Sequence, residues 1–225
     1  MNKTNEINTI FVDCFNTIIF RKVKTKDVFM QWAKKLEQVY NINWKVIYKK
    51  YKNINFNLCF KKLFSSFTLQ EQFDIVLENL FTKLSKNHRL VSIKEFVSTA
   101  TKLYVKTELE NFYLNKNMID YLEKAKSNGK KIYVVSDFYC KSNILTEWFT
   151  NLDIYHIFDK IYSSCDFEKE KATSKIYKHL LNSLQLNPKN VIMYGDNLWS
   201  DVIMAKSCKL NAKRITPKTN LLNKG

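Results

Sequence analysis

Three apolar runs in this 225-residue chain each end in groups able to do chemistry. Asp13 closes TIFV, Ser136 and Asp137 close IYVV, and Gly195 and Asp196 close VIMY, with Asp201 five residues further on. A single acid after a strand is commonly a helix cap. Acids after several strands of one sheet converge, because ligands of open α/β sheets bind beyond the carboxyl ends of the strands. Clustered carboxylates repel one another and become costly to ionise unless a cation joins them. Mg²⁺ is the natural candidate, since it takes hard oxygen ligands and leaves positions for water and phosphate oxygens. A carboxylate can also attack phosphorus as a nucleophile. The charge of the moving phosphoryl group would then be met by the cation, a hydroxyl such as Ser136, and a cationic side chain. Lys171, just before an expected helix in KATSKIY, is placed for that last task, although Lys169 and Lys175 nearby allow an ordinary solvated lysine.

The elements that must position these groups can be read from periodicity. Ile7 to Val12, Lys131 to Val135, Lys160 to Ser163 and Val191 to Tyr194 are strand-like, and AKRIT resembles a last strand. Helical patterns fall at Asn117 to Ser127, Ser142 to Phe149, Thr173 to Leu184 and Trp199 to Lys206, with Asn128-Gly129 as a stop signal. Continuous apolar strands alternating with helices predict a parallel sheet covered on both faces. Between the first and second strands the period changes to about 3.6 and stays there, predicting four or five helices in a row. That stretch is too long for a crossover. It reads as an all-helical domain, residues 20–116, inserted into a Rossmann-like α/β core of residues 1–19 and 117–225.

Composition limits the alternatives. Hydrophobic residues make up 45% and aromatics 14% of the chain, which excludes a disordered tail. No run of about 18 apolar residues occurs, and MNKTNEINTI lacks the layout of a secretory signal, so a cytoplasmic protein without membrane partners is expected. The five cysteines show no CxxC spacing and are expected to be buried thiols. The net charge of +16 invites a nucleic-acid reading, but residues 20–116 hold 19 Lys and Arg against 8 Asp and Glu, concentrating the field in the helical insertion. An anionic small molecule is the expected partner and nucleic acid is not. Trp32, Tyr40, Trp44, Tyr48 and Tyr51 lie at helical spacings that suit a core better than a base-stacking surface.

FVDCFNT, YVVSD, KATSK and YGDNLWSD, in this order and spacing, resemble the four motifs of the haloacid dehalogenase superfamily, and the wording is similar to a bacterial branch of it. The resemblance spans the chain. It implies an α/β core with a mobile helical cap and a Mg²⁺-dependent hydrolase acting through an aspartyl phosphate. Asp13 would be the nucleophile and Thr17 a supporting hydroxyl. Ser136, Asp137 and Lys171 would hold phosphate oxygens, with Lys171 also neutralising the nucleophile. Asp13, the backbone carbonyl of Phe15, Asp196 and Asp201 would bind the metal, Asp201 directly or through its waters.

One departure matters. Ordinary phosphatases of this superfamily carry a second Asp two residues after the nucleophile, an acid-base group, and here that residue is Phe15. Acid-base assistance is worth about 10²–10⁴ in rate. The residues leave three readings open: a phosphatase with a good leaving group or an acid from Asp137 or the cap, a metal-independent dehalogenase, and a ligand-binding protein with little turnover.

Overall fold

A computed structural model describes residues 6–62, 71–90 and 92–216, without side chains at 56–62 and 71–72. The chain divides into two compact units, Met1–Phe20 with Tyr113–Gly225, and Arg21–Phe112.

In the first unit, β1 (Thr9–Val12) is followed across the insertion by α5 (Lys116–Ser127), β4 (Lys131–Ser136), α6 (Ser142–Asn151), β5 (Lys160–Ser163), α7 (Ser164–Phe167), α8 (Lys175–Ser183), β6 (Val191–Gly195), α9 (Met204–Ser207) and β7 (Asn211–Arg214). The five strands form one sheet in the order β5-β4-β1-β6-β7, and their four pairings are all parallel. β1 is central because both its faces are apolar: Ile10, Phe11 and Val12 are fully buried. On one face Phe11, Val135 and Met193 pack with Ile176, Tyr177 and Leu180 of α8 and Ala205 of α9. Helix α5 begins at Asn115, whose side chain accepts from the Met118 N–H, and buries Met118, Ile119, Leu122 and Ala125. It ends where Gly129 takes φ +77°, a left-handed conformation that a residue without Cβ adopts at little cost. Chain order reverses at β1, between β4 and β6, so the crevice expected of such sheets opens at the end of β1.

The second unit contains α1 (Thr25–Tyr40), α2 (Trp44–Lys62), α3 (Glu71–Ser85) and α4 (Ile93–Asn111). Its core is aromatic: Phe29 stacks on Tyr51 at 4.5 Å and on Tyr104 at 5.5 Å, and the buried Trp32 indole donates to the Ala100 carbonyl at 2.8 Å. Arg21 grips the fully buried Glu108 through two hydrogen bonds, and the Tyr104 hydroxyl donates to the same carboxylate at 2.7 Å. Among the aromatics at helical spacing, Trp32 and Tyr51 are buried, whereas Tyr40, Trp44 and Tyr48 are half-buried.

Two strands too short to show alternation, β2 (Ile19–Arg21) and β3 (Phe112–Leu114), pair where the chain passes between the units. The sequence boundary at residue 116 differs from the observed division after Phe112. Residues 113–116 group with the α/β unit because Asn115 caps α5 and its side-chain amide donates to the Thr17 carbonyl. Cys14, Cys140, Cys165 and Cys208 are buried, and Cys59 lies outside the described side chains. Among the described residues no helix is long and apolar enough to cross a membrane.

Candidate active site

The sheet order brings the three strand ends together. The Asp13 N–H donates to the Tyr194 carbonyl of β6 at 2.8 Å, fixing the residue where β1 gives way to a turn. That turn is closed by the Ile18 and Ile19 N–H groups on the Cys14 carbonyl and contains Asn16 at φ +54°, a left-handed conformation Asn tolerates better than most residues. The conformation lets the Asn16 side-chain amide donate to Asp196 at 3.2 Å.

Asp13, Asp196 and Asp201 each offer a carboxylate oxygen within 4.8 Å of the others. Asp13 and Asp201 are buried and Asp196 is half-buried, so the cluster has a wet side. The Lys171 ammonium lies 2.6 Å from Asp13 Oδ1 and 2.6 Å from Asp201 Oδ1, and it too is buried. Burial pushes the Asp13 carboxyl above the usual carboxylate range, Lys171 pulls it back, and Asp201 pushes it up again. Burial opposes the Lys171 ammonium, but Asp13 and Asp201 more than offset that and hold it well above the ordinary lysine value. One buried cation therefore faces more negative charge than it can neutralise.

Local chemistry explains how Asp201 reaches this place. The Asn197 side chain accepts from the Trp199 and Ser200 N–H groups, starting a π-helical turn at Leu198–Ile203 where a regular helix was expected from Trp199. Within it the Asp201 N–H donates to the Asn197 carbonyl, while Asp201 Oδ2 accepts from the Asn197 N–H at 3.0 Å. The carboxylate is thereby folded onto Gly195, where any Cβ would collide with it. Tyr177 supports the turn from below by donating to the Ser200 carbonyl at 2.9 Å.

Ser136 and Thr17 are buried, and neither hydroxyl has a hydrogen-bond partner. An unsatisfied buried hydroxyl is costly, so a hydroxyl kept that way at a strand end suits an incoming acceptor oxygen. Asp137 is engaged by backbone donors. Its oxygens accept the Lys171 N–H at 2.8 and 3.1 Å and the Ala172 N–H at 3.4 Å, clamping the short 3₁₀ turn Lys171–Thr173 that carries the lysine. The Trp199 indole donates to the Ala172 carbonyl at 3.2 Å and ties the same turn to the acid-bearing one. Phe15 shares the turn of Asp13, and its half-buried ring packs 4.9 Å from Phe138 and 6.1 Å from Trp148. Sequence reasoning missed Asn16, Asn197, Trp199 and Tyr177. Only Asn197, a good cap residue before a helical pattern, carried a signal that could have been read.

The sequence matches the family model of haloacid dehalogenase-like hydrolases over residues 7–209. No curated protein matches it. Solved structures of similar fold include the magnesium-bound HAD-hydrolase candidate YfnB of Bacillus subtilis, with 17% identity over 95% of this chain and 89% of that one at a TM-score of 0.58. A 2-haloacid dehalogenase from Pseudomonas syringae pv. Tomato aligns at 10% identity over 92% of this chain and 85% of its own, with a TM-score of 0.68. A predicted phosphoglycolate phosphatase from Haemophilus somnus aligns at 15% identity over 94% and 85% of the two chains, with a TM-score of 0.56.

Proposed function

The chain belongs to the haloacid dehalogenase-like hydrolase family, and we propose that it is a Mg²⁺-dependent hydrolase of phosphorylated small molecules that passes the phosphoryl group through Asp13. The observation that carries this reading is the cluster of Asp13, Asp196 and Asp201 within 4.8 Å around a single ammonium. Three carboxylates of this kind are the donor set a hard divalent cation needs. Asp13, Asp196 and Asp201 would hold Mg²⁺, with the Phe15 carbonyl as a further oxygen from the same turn. When bound, the ion supplies the positive charge that the carboxylates and the phosphoryl oxygens together require.

The protein's own groups account for the rest. Asp13, held at the end of β1, offers a carboxylate oxygen to phosphorus. Ser136 donates its hydroxyl to a phosphoryl oxygen, and Lys171 balances charge on Asp13 as the bond forms. Asp137, by clamping the Lys171 N–H, keeps the ammonium in register, so its part is positioning. Water then cleaves the mixed anhydride on Asp13 and restores the carboxylate. The positive field of residues 21–112 favours anionic substrates over neutral ones.

Two experiments test this. Mg²⁺ is expected to raise the melting temperature, by the equivalent of about 3 kcal/mol at a hundred times its dissociation constant, and Asp196→Ala is expected to remove the rise. An equal rise in both proteins would place the ion elsewhere. A panel of phosphorylated metabolites, acyl phosphates and nitrophenyl phosphate should show Mg²⁺-dependent release of phosphate that Asp13→Asn abolishes. Release no faster than with Asp13→Asn for every compound, with Mg²⁺ still bound, would favour the second reading that Phe15 supports: a ligand-binding protein of the same fold with little turnover. A metal-independent dehalogenase is the weaker alternative, because it has no use for the paired Asp196 and Asp201.

A further inference from the structure

Within the α/β unit, the acidic side chains beside Asp13 are already engaged. Asp137 accepts two backbone N–H groups, Asp201 accepts the Lys171 ammonium and the Asn197 N–H, and Asp196 accepts the Asn16 amide. Lys171 is itself shared between two carboxylates. The turn that carries Asp13 presents a hydrocarbon surface instead. Phe15 lies against Phe138 and Trp148, and Phe138 packs 4.3 Å from Tyr139. Phe138 stands two residues after Ser136, as Phe15 stands two residues after Asp13, so the two strand ends that carry the nucleophile and the hydroxyl for a phosphoryl oxygen are joined by packed aromatic rings. Trp148 is fully buried and Phe138 nearly so, which holds the Phe15 ring against them.

We propose that the substrate is an acyl or aryl phosphate, whose leaving group departs as a stable anion, and that simple alkyl phosphates are disfavoured by the chemistry of departure rather than by fit. This deepens the phosphoryl-transfer reading and rests on it. An Asp13 oxygen forms the new bond to phosphorus, and the bond from phosphorus to the leaving oxygen breaks. Its electron pair leaves as a carboxylate or phenolate, which needs no proton from the protein. Water then adds to the mixed anhydride, releasing inorganic phosphate and the Asp13 carboxylate, with the excess proton passing to solvent. An alkoxide leaving in the same way would need an acid, and the rings of Phe15, Phe138 and Trp148 supply none. Apolar walls also suit a planar leaving group better than a hydrated one.

The test is kcat/KM with Mg²⁺ for acetyl phosphate, nitrophenyl phosphate, phenyl phosphate and a simple alkyl phosphate, because this ratio reports the step in which the leaving group departs. The expected result is a fall along that series, with acetyl phosphate exceeding the alkyl ester by about 10²–10⁴ beyond the ratio in an acid-assisted phosphatase, the range acid catalysis is worth. Phe15→Leu should keep the ordering, and Phe15→Asp should raise kcat/KM for the alkyl ester relative to that for acetyl phosphate. Asp137→Asn should lower all four alike, and Tyr139→Phe should keep their order. Alkyl and acyl phosphates turned over within about tenfold of each other by the wild type would overturn the proposal, as would a selective loss of the alkyl ester in Asp137→Asn or Tyr139→Phe. If Phe15→Asp does not fold, the wild-type series decides alone. No turnover above Asp13→Asn for any compound removes the phosphoryl-transfer reading as well, whereas a flat series removes this inference only.

Discussion

Replacing Lys171 with Met is expected to lower the unfolding free energy of the metal-free protein by about 3–5 kcal/mol near neutral pH, the range for removing one partner of a buried ion pair. The side chains of Lys171, Asp13 and Asp201 are only 3%, 10% and 0% exposed, so water cannot replace the ammonium that sits 2.6 Å from both carboxylates. The loss has a sign in pH. Burial already holds Asp13 above the ordinary carboxylate value, so between that value and its raised one the native state keeps a proton that the unfolded state has released. Stability falls with rising pH wherever the native state binds more protons. Lys171→Met removes the pull that limits this effect, so its deficit should be small at about pH 3, where Asp13 is largely protonated in both states, and full in mildly alkaline buffer. Urea unfolding at the two pH values measures it. Variant and wild type unfolding together at the alkaline end would mean that the ammonium does not hold the carboxylates as the geometry indicates.

What could be read in advance followed from burial. TIFV, KIYVV and VIMY showed as strands because the sheet is covered on both faces and, apart from Thr9 and Lys131, each position is apolar, leaving a continuous run as the signal. The second unit showed as helices because Val28, Trp32 and Leu36 repeat on one buried face. Strands β2 and β3 were invisible, since three residues carry no period. Helix α8 starts two residues later than expected because Lys171–Thr173 forms a separate 3₁₀ turn, and Ser174 at φ +60° breaks it from the helix. The carboxyl ends of the strands suggested Asp13, Ser136, Asp196 and Asp201 as one constellation, with Lys171 added from the start of an expected helix, and in the structure Lys171 bridges Asp13 and Asp201. The role of Asp137 could not be read in this way. Its neighbours in sequence show an acid after a strand, whereas its partners are backbone N–H groups 34 and 35 positions away. Asn16 and Trp199 were missed for the same reason, because their value lies in bonds to Asp196 and to the lysine-bearing turn.

The second large effect concerns the covalent step. If Asp13 takes the phosphoryl group and Phe15 offers no base to activate water, the mixed anhydride on Asp13 should outlive the step that forms it. A good leaving group then gives a rapid first turnover followed by a slower steady state, and phosphoryl-enzyme accumulates. Asp13→Asn replaces the attacking oxygen anion with an amide and should abolish both phases. The most direct measurement is acid quenching of the Mg²⁺-loaded protein during turnover of acetyl phosphate, followed by mass spectrometry of the peptide containing FVDCFNT. One phosphoryl group on Asp13, absent without Mg²⁺ and absent in Asp13→Asn, is the predicted result. Phosphate released at the same rate with no phosphoryl group on Asp13, or with the group on another residue, would contradict it.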